Sequence, residues 1–198
     1  MTKDKILDVA SIEFSKYGYD AVSMNNLVKK IDINKATVYY HYKDKKALYI
    51  EVIKSVVEAM NEKTRLLFKE NLEGKEFFKA YIQIQVACIK DMPHTAALAL
   101  REIANLGADI DDTVTPLFEE DLKYLQMALD KLDLKDNYKE LTVYSFHCLI
   151  IGTIFTFYSI QMSDLKVGTK DELKKDADKS LDFISDFVSN IILDAACK

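Results

Sequence analysis

Hydrophobic residues along this chain recur at helical rather than alternating spacing, a pattern that predicts an all-α protein of about nine helices. Ile6, Ala10 and Phe14 lie one turn apart and open a first helix. Tyr17-Gly18-Tyr19 stops it, Gly18 being the residue suited to a left-handed C-cap. Ser23 stands as N-cap to a short helix over 24–30, and Asn34 caps a second short helix over 35–41. Asp44 caps a long fourth helix running from 45 to about 70. Beyond it the periodicity predicts helices over roughly 74–91, 93–107, 114–132, 137–163 and 170–196. Pro93 and Pro116 fit first-turn positions, and Gly74, Gly107 and Gly168 mark breaks.

With 198 residues and only two prolines and five glycines, the chain has room for one or two domains and little punctuation between them. The expected division is 1–48 and 49–198, with the 45–70 helix as the connection. Three cysteines (Cys88, Cys148 and Cys197) form no metal-like pair and read as free thiols of a reducing compartment. The first eight residues are polar and charged, unlike a signal peptide, so a cytoplasmic location is expected. Residues 141–163 carry no formal charge and are long enough to cross a bilayer. Thr142, Tyr144, Ser145, His147, Thr153, Thr156, Ser159 and Gln161 nevertheless scatter polar groups around that stretch. This favours a helix buried in protein over a membrane span.

The net charge of −5 hides an asymmetry. Nine lysines face six acids in residues 1–48, giving +3 there and −8 in the remainder. A small basic head on an acidic body suits a reader of nucleic acid with a separate regulatory part.

Two short helices joined by a tight connection (Ile31-Asp32-Ile33), the second rich in polar and aromatic side chains, describe a helix-turn-helix. Leu27, Ile33 and Val38 can lock the pair together. The opposite face then presents Lys35, Ala36, Thr37, Tyr39, Tyr40 and His41, beside the capping Asn34, to a major groove. Lysine can reach a guanine edge or a phosphate, and alanine can touch a thymine methyl. Hydroxyls and imidazole can bond phosphate oxygens and fix register. Ser23 and Lys45 lie at helix starts, where free N–H groups favour phosphate.

The segment from Ser23 to Leu48, with its core Asn34-Lys35-Ala36-Thr37-Val38-Tyr39-Tyr40-His41-Tyr42-Lys43-Asp44-Lys45-Lys46-Ala47-Leu48, resembles the DNA-binding motif of the tetracycline-repressor (TetR) family. Ala10, Phe14, Gly18 and Tyr19 match its first-helix pattern, so the resemblance covers about the first fifty residues. It implies phosphate contacts from Ser23, Thr37, Tyr39, His41 and Lys45, with Lys35 and Ala36 at bases. Asp32 departs from the pattern, since many members carry glycine in the turn; aspartate tolerates a left-handed backbone better than most residues.

In the body, the last two helices are similar to the pair that forms a four-helix dimer interface in that family. Leu181, Ile184, Phe187, Val188, Ile191 and Ile192 form an apolar stripe on the final helix. Phe77, Tyr81, Ile84, Gln85 and Cys88 share one helical face, and Tyr144, His147, Cys148, Ile151, Phe155 and Tyr158 share another. From these, Phe77, Tyr81, Gln85, Cys88, Tyr144, His147, Ile151 and Phe155 are candidates to line a pocket for a small, mainly apolar effector. Plain core packing is the alternative at each position. Arg101 and Glu102, near the end of the 93–107 helix, are read as structural.

The expected function is thus a sequence-specific DNA-binding regulator of bacterial type. Its expected partners are a double-stranded operator, a second copy through the last two helices and a small effector that releases it from DNA. No cofactor, metal or membrane partner is expected. A DNA-binding activator, or a helical dimeric ligand-binding protein without DNA binding, is the alternative. Catalysis is not expected, because no nucleophile–base pair, carboxylate pair or phosphate loop stands at a recognisable spacing.

Overall fold

The computed structural model describes residues 2–105, 107–162 and 177–198, which fold into ten helices. They are α1 (Thr2–Ala21), α2 (Met24–Ile31), α3 (Lys35–His41), α4 (Lys45–Leu67), α5 (Gly74–Asp91), α6 (Thr95–Ala104), α7 (Thr115–Leu129), α8 (Asp136–Lys139), α9 (Val143–Met162) and α10 (Ala177–Ala196). The predicted 170–176 portion of the last helix, the Gly168 break and Ser163 lie outside the described residues.

Local chemistry fixes the ends of the first helices. The Ser23 hydroxyl accepts from the N–H of Asn26 at 3.2 Å, Asn34 Oδ1 from that of Ala36 at 2.8 Å, and Asp44 Oδ1 from that of Ala47 at 2.8 Å. Each satisfies a donor that a helix start leaves unpaired. Asp32 ends α2 in the left-handed region, with φ 54° and ψ 50°. Gly18 interrupts α1 at φ 80° and ψ 166°, which is not the left-handed cap expected there but a combination open in practice to glycine alone.

Packing divides the chain into two compact units. The first comprises residues 1–58 and 94–117, the second 59–93 and 118–198. This grouping differs from the expected division at residue 48: α6 and the start of α7 belong with the head. In the first unit Ile6, Phe14, Leu27, Ile31, Val38 and Tyr49 bury almost completely, and Leu98 and Val114 join the same cluster. Burying each such side chain contributes about 1.5–3 kcal/mol relative to exposure. Two polar ties accompany that packing. Arg101 donates from Nε to Ser15 O (2.9 Å) and from Nη2 to Lys16 O (3.0 Å), capping the carbonyls that α1 leaves open before Gly18. The Tyr49 hydroxyl donates to Glu102.

In the second unit α10 packs on α5 and α9. Arg65 holds Glu120 through Nε and Nη2, both at 2.9 Å, a forked pairing that keeps the Glu120 carboxyl below its usual range. The 137–163 helix is two pieces rather than one: α8 ends at Lys139, and Thr142 begins α9, its carbonyl accepting from Ser145 N at 3.0 Å. Pro93 likewise precedes α6 in a turn instead of opening it, whereas Pro116 does lie in the first turn of α7.

The segment Val143–Gln161 is long and apolar enough to cross a membrane, yet only a third of it is buried in the protein. Its inner residues, among them Phe146, Ile150, Ile154 and Phe155, pack within the second unit, as those of an internal helix of a helical body do. Its outer residues include Tyr144 (64 % exposed), Leu149 and Ile160. On α10 the apolar residues also sort into two rows. Leu181, Ile184, Val188 and Ile192 are buried, while Phe183, Phe187 and Ile191 face outward one turn apart, the two phenyl rings stacked at 5.7 Å.

Candidate nucleic-acid interface

The recognition surface is built on a short helix that cannot stand alone. With seven residues, α3 is far below the length at which an isolated helix is stable in water, so its position comes from packing. Val38 is fully buried, and Tyr42, at the C-cap, is buried behind it with its hydroxyl pushed up to about 12 by burial. Leu27 and Ile31 of α2 supply the other side of the contact, and Ile33 packs part-buried against the same cluster.

That anchoring turns the remaining side chains outward. Asn34, Lys35, Ala36, Tyr39, Tyr40 and His41 are exposed and Thr37 is half-buried, so every side chain of α3 but Val38 is at least partly accessible. Tyr40 stands furthest into solvent at 85 % exposure, and its ring lies edge-on to His41. A large aromatic so exposed is unusual for a lone monomer surface and suits a polar partner that it can both touch and hydrogen-bond.

Lys35 is held rather than loose. Its Nζ donates to Asn25 Oδ1 at 3.0 Å and lies 5.6 Å from the centre of the Tyr39 ring. Ser23 is exposed at the start of α2. Lys45 is placed differently from the rest. It is half-buried, its Nζ donates to Tyr19 O at 2.9 Å and lies over the Tyr19 ring at 4.2 Å, so this ammonium serves the end of α1.

Sequence reading missed the lysines beside the reading helix. Lys43 and Lys46 are exposed and border, with His41, a groove of about 580 Å³ that also includes Lys3 and Lys54. The signal was present in the Tyr42-Lys43-Asp44-Lys45-Lys46 run, but helix geometry alone decides which of its lysines face out.

The pocket candidates are placed less uniformly. Phe77, Tyr81, Gln85 and Cys88 of α5 and Ile151 and Phe155 of α9 are buried in the second unit. His147 is partly exposed, with Nε2 at 3.4 Å from Asp121 Oδ2. Tyr144 points to solvent and stands apart from the others. Asp121, beside Glu119 and Glu120 on α7, is buried, which nothing in the sequence pattern indicated.

A short helix fixed by a buried valine, a capped turn before it and an outward row of polar and aromatic residues define a helix-turn-helix protein. Residues 6–52 match the family model for bacterial regulatory proteins of the tetR family. It is 39 % identical over 59 residues to the biofilm operon icaADBC HTH-type negative transcriptional regulator IcaR of Staphylococcus aureus; the match spans 30 % of this chain and 32 % of that one. The chain therefore aligns with only about a third of the length of that relative. To IcaR of Staphylococcus epidermidis it is 29 % identical over 141 residues, covering 66 % of this chain and 75 % of the other. The crystal structure of the transcriptional regulator FadR from Bacillus subtilis in complex with stearoyl-CoA shares the fold, with a TM-score of 0.67 at 17 % identity, over 95 % of this chain and 96 % of that one.

Proposed function

We propose that the chain is a homodimeric repressor that binds its operator through α3 and is released by a small-molecule effector seated in the second unit. The observation that carries this reading is the outward face of α3, where Lys35, Ala36, Tyr39, Tyr40 and His41 project from a helix pinned by Val38. Base contacts come from Lys35 and Ala36; Ser23, Thr37, Tyr39 and His41 hold phosphates, joined by Lys43 and Lys46. The two staphylococcal relatives are named negative regulators, which supports repression over activation.

Dimerisation follows from the second unit's outer surface. Phe183, Phe187 and Ile191 on α10, with Tyr144, Leu149 and Ile160 on α9, expose more large apolar residues than a lone monomer usually leaves in water. A second copy covers them symmetrically and sets two heads at half-sites ~34–36 Å apart. The effector binds the released and DNA-bound states with different affinity, the condition for any shift between them. Because α4 runs through Glu58 from one unit into the other without a break, tilting it is the proposed route of response.

The test is fluorescence anisotropy of the full chain on DNA flanking its own gene, against scrambled DNA and over a salt series. Tight, salt-sensitive preference for the flanking DNA is expected. Absence of binding to either DNA at low salt would remove the assignment of α3.

A further inference from the structure

The interior of the second unit holds polar groups that its own packing leaves unsatisfied. Gln85 is fully buried on α5, and among the described residues neither its amide nitrogen nor its amide oxygen has a hydrogen-bond partner. Asp121, from α7, is 5 % exposed, and its Oδ1 is likewise without one. Its other oxygen meets Nε2 of His147 at 3.4 Å, longer than the ~2.7–2.9 Å of a charge-assisted hydrogen bond.

Tyr81, Gln85 and Cys88 follow at i, i+4 and i+7 on α5, and the charge of Asp121 reaches both ends of that row, at Tyr81 and at Cys88. Burial above all holds the Tyr81 hydroxyl far above its usual range, and the charge of Asp121 adds to it. The Cys88 thiol is pushed up to about 11, mainly by burial and against the pull of Lys63, with Asp91 and Asp121 adding. Lys63 and Asp91 are paired with each other, and Glu120 is taken by Arg65 and Tyr124. Among the described residues Asp121 is thus left with an incomplete set of partners; His147, which meets it, shares a face of α9 with the buried Ile151 and Phe155, and Gln85 shares a face of α5 with the buried Phe77.

A buried hydrogen-bonding group without a partner is costly, more so when charged, so a fold retains several together where something else completes them. A carboxylate repels an anion, and an amide oxygen beside it adds a second acceptor. We propose that the effector is a lipophilic amine, whose protonated nitrogen donates to Asp121 Oδ1 and to the Gln85 amide oxygen while its apolar body lies against Phe77, Ile151 and Phe155. This rests on the reading of the second unit as an effector-binding unit and narrows its ligand from mainly apolar to apolar and cationic.

The test uses the full chain without DNA and three probes sharing one body: phenylbutylamine, phenylbutyric acid and phenylbutanol, measured by calorimetry and thermal shift. The amine is expected to bind and raise Tm, with the acid and the alcohol at least about tenfold weaker. D121N is expected to weaken the amine by at least about tenfold, leave the alcohol unchanged and hold or raise the Tm of the unliganded chain. Q85L, which removes the acceptor amide at similar bulk, is expected to weaken the amine as well.

Equal binding of acid or alcohol, full amine binding by D121N, or no amine binding at millimolar concentration would each overturn the proposal. So would a fall in Tm of unliganded D121N, since Asp121 would then be half of a structural ion pair with His147. A chain that binds amines through Asp121 yet ignores DNA would keep this inference and lose the repressor. One that represses but takes no amine would do the reverse.

Discussion

Tyr49 donates its phenolic hydrogen to Glu102, fifty-three positions further along the chain, and so joins the start of α4 to α6 inside the first unit. Glu102 is buried, and that burial raises its carboxyl above the usual range, although the Tyr49 hydroxyl works the other way; Asp109 adds to the rise. A raised carboxyl favours the proton in the folded state. Its contribution is therefore fully present below the unfolded glutamate value of about 4.3 and is lost as pH rises through the folded one. Glu102→Gln should be at least as stable as the parent at neutral pH, with the difference closing near pH ~4. Thermal unfolding across that range checks it; a loss of stability greatest at neutral pH would show that the charged form is the one the fold prefers. Tyr49→Phe, which strips the carboxylate of its donor, should cost about 1–3 kcal/mol.

Gly18 and Arg101 form a second such pair. A Cβ on Gly18 would stand 3.3 Å from Arg101 Nη1, on a backbone with φ +80°. Gly18→Ala should destabilise by about 1–3 kcal/mol through that backbone alone. Arg101→Ala removes two bonds to the α1 carbonyls and should cost about 1.5–3 kcal/mol. The double variant should lose less than the sum, because an alanine at 18 already crowds the guanidinium. Strict additivity in urea unfolding would mean that the two positions act independently.

On DNA, Tyr39→Ala and His41→Ala should weaken binding to all sequences alike. Lys43→Ala and Lys46→Ala should do the same and also lower the salt slope, by about 0.9 for each phosphate left without its ammonium. Lys35→Ala should instead relax preference at one position of the site, at about 1–3 kcal/mol. Lys45→Ala separates two roles: with its ammonium on the Tyr19 and Asp20 carbonyls, it should lower Tm as well as affinity. If Lys45→Ala weakens DNA binding at unchanged Tm, its side chain serves phosphate rather than α1.

The outer row of α10 offers a separate test. Phe187→Asp, at a position already 46 % exposed, should leave helicity intact and convert the protein to a monomer by light scattering. Operator affinity should fall by more than about tenfold, because two half-sites are no longer read together. A dimer that persists in this variant and in Phe183→Asp would place the interface elsewhere.

The head was legible in the sequence because its signals are local. Ser23, Asn34 and Asp44 cap within three residues of themselves, Asp32 takes the left-handed turn alone, and the α3 face follows from seven consecutive residues. What was not legible depends on distant partners. Nothing near Leu98 or Val114 says that they bury with Phe14 and Tyr49, and nothing in Glu119-Glu120-Asp121 says that the third acid turns inward. The pocket face on α9 failed at Tyr144 for a related reason. Helical periodicity groups residues into faces, but a helix apolar on most sides does not reveal which face is covered.

The first unit is discontinuous in sequence: residues 1–58 need 94–117 to complete their core. It follows that the reading helices are not a portable cassette. A gene fragment ending soon after residue 52, where the family match stops, would encode the DNA-facing surface but omit Leu98, Val114 and the Arg101 cap on α1. Recombination that grafts such a head onto a foreign body must therefore bring along, or reinvent, a helix encoded some forty codons downstream.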